Sequence, residues 1–136
     1  MSEKKVFAVT QRVRYAETDA MGVVYHSNYL IWFEVGRVEC LRAIGYPYSR
    51  LEAEGFGLPV VEVGCRYLRG AKFEQLVRIE TWLDSLKSRK FRLGYRISDA
   101  DTGEPLATGF TEHLCWRRGV VATIPVELYE KLTALL

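Results

Sequence analysis

The sequence predicts an α+β fold in which one antiparallel sheet wraps around one long central helix. Three observations carry this. Residues 28–44, NYLIWFEVGRVECLRAI, are the one long helix candidate. The first half of that segment is apolar nearly all round (Tyr29, Leu30, Ile31, Trp32, Phe33), a pattern that belongs to a buried helix rather than one lying on a wet surface. The second half of the chain alternates apolar and polar residues, as strands with one buried face do.

Taken in order, residues 6–14 (VFAVTQRVR) have strand character. Ser27 or Asn28 can supply the N-cap of the long helix and Gly45 stops it. Gly36 lies mid-helix at a cost of about 1 kcal/mol relative to Ala, which points to close approach of another backbone. A short helix is expected near 48–54. Residues 58–68 place Val61, Val63, Cys65 and Tyr67 on one face, and residues 76–84 place Val77, Ile79, Thr81 and Leu83 on one face. Residues 90–98 set Phe91, Leu93, Tyr95 and Ile97 against Arg92, Gly94 and Arg96, and residues 105–116 form a further long strand. The connections RGAKFEQ, SLKSRK and DADTGEP are short and polar, as hairpin loops are, so a meander of about four strands is expected. A helix started by Pro125 closes the chain. The sheet's outer edges stay open, which invites pairing with a second copy.

No repeat, low-complexity tract or linker interrupts the 136 residues, so residues 1–136 read as one domain. Nineteen basic against seventeen acidic residues leave a net charge of +2, too even to imply nucleic acid. Charges interrupt every long apolar run, so no membrane span is expected. The polar start MSEKK has no apolar signal core. Three scattered cysteines without a CxxC fit reduced, packed thiols, and together these features predict a cytoplasmic protein.

The stretch YAETDAMGVVYHSNYLIWFE, Tyr15 to Glu34, carries the chemistry. Asp19 lies between a strand end and a helix start, Gly22 permits a turn closed to other residues, and His26 follows seven residues after Asp19 at the helix start. Helix N-termini present unpaired N–H groups and partial positive charge, which can hold a polarised carbonyl or oxyanion. A nearby carboxylate could attack that carbonyl or deprotonate a water that does. Turn chemistry alone also accounts for an Asp before a helix. A metal site from Glu17, Asp19 and His26 is weaker, because no other His or Cys has metal-ligand spacing.

The segment resembles the signature of the hotdog-fold acyl-CoA thioesterases, in the 4-hydroxybenzoyl-CoA thioesterase and YbgC-like group. The pattern runs through Tyr15, Asp19, Gly22, Val24, Tyr25 and Tyr29, and His26 matches the histidine of the YbgC-like branch. The resemblance implies a hotdog fold and hydrolysis of an acyl-CoA to free acid and CoA, with acyl carrier protein as an alternative carrier. Asp19 matches the catalytic carboxylate, as nucleophile or general base. The backbone N–H of His26 matches the donor that polarises the thioester, and its imidazole and Tyr15 match assisting groups. Gly22, Tyr25 and Asn28 match residues that shape the turn beside substrate. No cofactor or metal is implied, coenzyme A being part of the substrate. A homodimer or homotetramer with the site at the subunit boundary is implied.

The phosphates of coenzyme A need Lys or Arg. Lys87, Arg89 and Lys90 sit in a hairpin that contacts the nucleotide in benzoyl-CoA-type relatives, whereas Arg92 and Arg96 read as an outward, solvated face. Pro59 and Val60, in LPVVEV, are candidates for the acyl pocket, and His113 reads as a strand residue. A non-catalytic acyl-carrier-binding protein is a second class of function. Nucleic-acid binding through RKFRLGYR is a third, opposed by alternation that turns Phe91 and Tyr95 to the core.

Overall fold

The computed structural model describes residues 4–136. In chain order the elements are β1 (Val6–Arg12), α1 (Ser27–Ala43), α2 (Tyr48–Ala53), β2 (Phe56–Gly57), β3 (Val60–Tyr67), β4 (Leu76–Leu86), β5 (Lys90–Asp99), β6 (Pro105–Leu114), β7 (Trp116–Arg117), β8 (Val120–Val121) and α3 (Val126–Thr133). The strand order is β1-β4-β5-β6-β3, all neighbours antiparallel, with α1 packed against one face. The α+β expectation is met, and each long element lies within a few residues of its predicted bounds.

On β4 and β5 the faces assigned from alternation are the buried ones. Val77, Ile79, Thr81 and Leu83 on β4, and Phe91, Leu93, Tyr95 and Ile97 on β5, are all buried against α1 and its neighbours. From the helix, Trp32 and Phe33 are fully buried, and Phe33 stacks on Tyr95 with centroids 4.3 Å apart. Burial of each such ring contributes roughly 1.5–3 kcal/mol. Gly36 is closely approached by side chains rather than by the backbone expected: a Cβ there would meet the Thr81 hydroxyl and come within 2.9 Å of Ile79 Cγ2. Gly36→Ala is therefore expected to destabilise the fold by about 1–3 kcal/mol through overpacking, read as a lower urea midpoint at unchanged slope.

Three expectations need correction. β3 does not continue a meander into β4. It pairs only with β6, at the opposite side of the sheet from β1, so the chain after Tyr67 crosses three strand spacings to reach β4. RGAKFEQ is that crossover, not a hairpin loop. At ~4.8 Å per strand spacing the crossing is ~14 Å, within reach of a segment this long. The predicted strand over 105–116 breaks at the buried Cys115, and the chain then forms a small three-stranded sheet, β2-β7-β8, that alternation did not reveal because its strands are two residues long. Nor is α1 covered on all sides. Ile31 is 48% exposed, beside a β3 whose Val61, Val63 and Tyr67 are 44–52% exposed. A single protomer thus shows an apolar strip along its free β3 edge, the kind of surface that marks an interface.

Cys40 and Cys115 are buried and Cys65 half-buried, all as free thiols. Burial pushes each thiol up, that of Cys40 to about 12, so these are packing residues rather than nucleophiles. No helix among the described residues is long and apolar enough to cross a membrane.

Candidate active site

Between β1 and α1 the chain makes a 3-10 turn at Tyr15–Glu17 and then a tight ribbon closed by a Thr18–Val24 bridge. The Asp19 N–H donates to Val23 O (2.9 Å), and the Gly22 N–H donates to Asp19 O (3.0 Å). Gly22 has φ +80 with open space around it, so the backbone conformation, not crowding, demands glycine. The half-buried Asp19 accepts the Met21 N–H on Oδ1 at 2.8 Å. Its Oδ2 has no hydrogen-bond partner among the described residues.

His26 is the N-cap residue of α1, already in helical conformation (φ −55, ψ −34). Asn28 and Tyr29 N–H bond back to Tyr25 O and His26 O. The N–H groups of His26 and Ser27 find no acceptor among the described residues. A carboxylate oxygen without a protein partner among the described residues thus lies on the ribbon that leads into two unpaired amide donors carrying the positive end of a helix dipole. The His26 ring is exposed, 4.4 Å from the Tyr25 ring.

Glu17 holds the ribbon in place, a role the sequence does not announce. It is 2% exposed, and its carboxylate accepts the Arg14 N–H (2.7 Å) and the Trp32 indole N–H (2.8 Å). Its backbone O accepts Asn28 Nδ2 (2.9 Å) and the Tyr25 N–H (2.8 Å). With both oxygens engaged in the fold, Glu17 is not free to join Asp19 and His26 around a metal. Two tyrosines complete the frame. Tyr67 donates its hydroxyl proton to His26 O (3.1 Å), and the buried Tyr29 hydroxyl accepts the Ala71 N–H (3.0 Å). Tyr67 ties the end of β3 to the start of α1; its place on an alternating strand hid that contact from a one-dimensional reading.

Tyr15 is 76% exposed in the 3-10 turn and leans edge-on against Phe73 at 5.5 Å. Among the described residues its hydroxyl makes no hydrogen bond to Asp19 or His26. Asn28 shapes the helix start through Glu17, and Tyr25 flanks the His26 ring. Val60 shares a cavity of about 250 Å³ with Leu30 and Ile31 from the first turns of α1. Pro59 and Val60 sit at the far end of β3 from Tyr67, Val60 being seven residues and ~23 Å away at ~3.3 Å per residue. There they line a cavity of about 390 Å³ with Glu34, Arg37, Leu41 and Phe91.

Lys87, Arg89 and Lys90 occupy that same far end. The Arg89 O accepts the Cys115 N–H (2.7 Å) and the Leu114 N–H donates to Pro59 O (3.2 Å). Lys90 lies 3.8 Å from Glu112, and Arg92 lies outward against Glu62, Glu112 and the Phe110 ring, a solvated strand face. Phe91 and Tyr95 are buried, so they are not available to stack on bases.

His113 also lines the cavity, and it has the partners its sequence context did not show. It is 1% exposed and stacked on Phe91, with Nδ1 2.9 Å from Leu58 O and Nε2 2.8 Å from Thr111 Oγ1. A carbonyl can only accept, so Nδ1 carries the proton. Thr111 then donates to Nε2 and accepts from the Tyr95 hydroxyl at 2.6 Å. Burial, opposed by the bond to Leu58, pushes the imidazole down to about 4. The unfolded chain binds that proton near pH 6.5, so stability is full above pH ~6.5 and falls with pH toward 4. The drop should reach about 3 kcal/mol, followed by thermal melts from pH 7 to 4, and His113→Gln should flatten the profile over that interval.

The family model described as thioesterase-like superfamily matches residues 13–132. YneP of Bacillus subtilis, provisionally named an acyl-CoA thioesterase, is 38% identical over 103 residues, 76% of this chain and 74% of that protein. The acyl-CoA thioester hydrolase YbgC of Escherichia coli O157:H7 is 32% identical over 90 residues, 66% of this chain and 67% of that one. A hypothetical protein from Thermus thermophilus superposes with a TM-score of 0.92 at 42% identity, covering 98% of this chain and 100% of its own.

Proposed function

Because the chain belongs to the thioesterase-like, or hotdog, superfamily, we propose that it hydrolyses acyl-CoA thioesters to the free acid and coenzyme A. The observation that carries this is that Asp19 Oδ2 and the two N–H groups at the start of α1 all lack a partner among the described residues, within one nine-residue stretch, Asp19 to Ser27. The thioester oxygen accepts the His26 N–H, and the build-up of negative charge on that oxygen strengthens the bond. One such donor is typically worth roughly 3–4 kcal/mol in the transition state. Asp19 then acts by one of two balanced routes. As general base it takes a proton from a water whose oxygen attacks the carbonyl carbon; the C–S bond breaks and the thiolate leaves with that proton. As nucleophile its Oδ2 attacks, the thiolate leaves, and water opens the resulting anhydride. Single turnover in ¹⁸O-water detects the second route when water opens the anhydride at the Asp19 carbonyl, which places label in that carboxylate; trapping the anhydride with hydroxylamine detects it whichever carbonyl water attacks. The names of YneP and YbgC support the carrier and the reaction.

The site is completed by a second copy. β3 has a free edge and an exposed apolar strip with Ile31. Antiparallel pairing of β3 with its own copy about a two-fold axis sets the Val60 end of one strand beside the Tyr67 end of the other. Pro59, Val60, Lys87, Arg89 and Lys90 then reach the Asp19 site of the partner copy, the first two as acyl-pocket residues and the cations beside the nucleotide. His26 and Tyr15 side chains assist at the mouth, and Gly22, Tyr25 and Asn28 shape it. Pairing of such dimers gives a tetramer, and a cytoplasmic location fits a substrate built on coenzyme A.

Acyl carrier protein is the alternative carrier. Turnover of one acyl group on both carriers decides between them, and kcat/KM is expected to favour the CoA thioester. Thioester cleavage absent from every acyl-CoA tried would instead favour a non-catalytic acyl-carrier-binding protein.

A further inference from the structure

Glu17 is the one buried carboxylate among the described residues, and it takes hold of α1 at two points. Its main-chain O accepts Asn28 Nδ2 (2.9 Å), and its Oε2 accepts the Trp32 indole N–H (2.8 Å). Asn28 and Trp32 are four residues apart in the sequence, so they lie on one face of the helix, a turn from each other. Oε1 accepts the Arg14 N–H (2.7 Å), which fixes the side chain from the β1 side. The same main-chain O also takes the N–H of Tyr25, the residue before His26 (2.8 Å).

One bond to a helix leaves it free to turn about its axis or to slide along it. Two bonds a turn apart stop both motions. The reacting groups flank this grip: Asp19 follows Glu17 by two residues, and the unpaired N–H groups of His26 and Ser27 immediately precede Asn28. The ribbon's other bonds do not reach the helix face that Glu17 grips: the Val24 N–H donates to Ala71 O (2.9 Å), and the Thr18–Val24 bridge is internal. Both carboxylate oxygens of Glu17 face an N–H, so the site calls for an acceptor at each. A glutamine amide offers one acceptor and one donor group, so it sets an N–H against either the Arg14 N–H or the indole.

We infer that Glu17 is a positioning residue for thioester hydrolysis. It does not touch substrate; it holds the Asp19 carboxylate and the N–H groups of His26 and Ser27 in one fixed relation across the ribbon and the helix start. This rests on the thioesterase reading above. The demand on such a device is severe, since a misplacement of about 1 Å at reacting groups can lower the rate about a hundredfold.

Glu17→Gln is expected to lower kcat about tenfold to a hundredfold and to leave KM within about twofold. Trp32→Phe removes the opposing indole N–H, so the double variant Glu17→Gln/Trp32→Phe should regain about fivefold in kcat over the single one, although the smaller ring lowers its melting temperature further. Activity that rises while stability falls is the outcome of a positioning role, and a merely structural role does not give it. Wild-type kcat in a folded Glu17→Gln protein, or a double variant no faster than the single one, would overturn the assignment. If Glu17→Gln does not fold, Asn28→Ala, which removes only the side-chain bond to Glu17 O, should lower kcat about threefold to tenfold at a nearly unchanged melting temperature, and an unchanged kcat there overturns it equally. If the wild-type protein hydrolyses no acyl-CoA, the thioesterase reading fails while backbone amide spectra still decide the grip. The Asp19 to Ser27 signals, single in the wild type, should broaden or double in Glu17→Gln while those of β4 and β5 stay in place; signals that do not change would overturn it.

Discussion

Asp19→Asn is expected to lower kcat for acyl-CoA hydrolysis by about a hundredfold to ten-thousandfold, the usual range for a lost acid–base or nucleophilic group. Asn keeps the side-chain oxygen that accepts the Met21 N–H, so the turn that Gly22 closes should survive, and with it the melting temperature. The substituted amide neither takes a proton from water nor attacks a carbonyl. KM should change little, because the His26 N–H and the acyl pocket remain. A fall in kcat at constant KM and constant stability marks an interaction made in the transition state.

Val63→Asp is expected to give the second largest loss. Val63 lies on the free β3 edge, 44% exposed in a single protomer, so a carboxylate there costs the isolated fold little. In the proposed edge-paired dimer it lies close to its own copy, and two like charges at a closed strand pair are repelled and desolvated. Light scattering at micromolar concentration should show the mass fall to that of one chain. kcat/KM should fall at least a hundredfold, because Asp19 is then separated from Val60, Lys87 and Arg89 of the partner copy. An undiminished mass and activity would place the interface elsewhere.

Much of the fold was legible because its determinants are periodic. The run Tyr29 to Phe33 marked the buried helix, and alternation on β4 and β5 named the residues that line the core. Gly36 marked a close approach, but not that side chains of Thr81 and Ile79 make it. The order of strands was not legible: β3 and β4 alternate equally well whether they are neighbours or three spacings apart, and only the placement of α1 decides. The site divided in the same way. Asp19, Gly22 and His26 stood out because their chemistry sits in one local turn. Glu17 did not, since its bond to Trp32 joins residues fifteen apart with no repeat to announce it. His113 was hidden because its partners, Leu58 and Thr111, come from different strands and its neutrality is a product of burial. Pro59 and Val60 line a cavity with Phe91 and His113, residues far away in sequence that alternation alone does not bring together.

The most direct measurement is release of free thiol from a panel of short-chain, long-chain and aromatic acyl-CoAs by the wild-type protein beside Asp19→Asn, with both folded to the same extent by circular dichroism. The expected result is multiple turnovers on at least one acyl class by the wild type and near-background release by the variant. Equal release from both proteins, or none from any acyl-CoA by the wild type, would contradict hydrolysis by Asp19 at the start of α1.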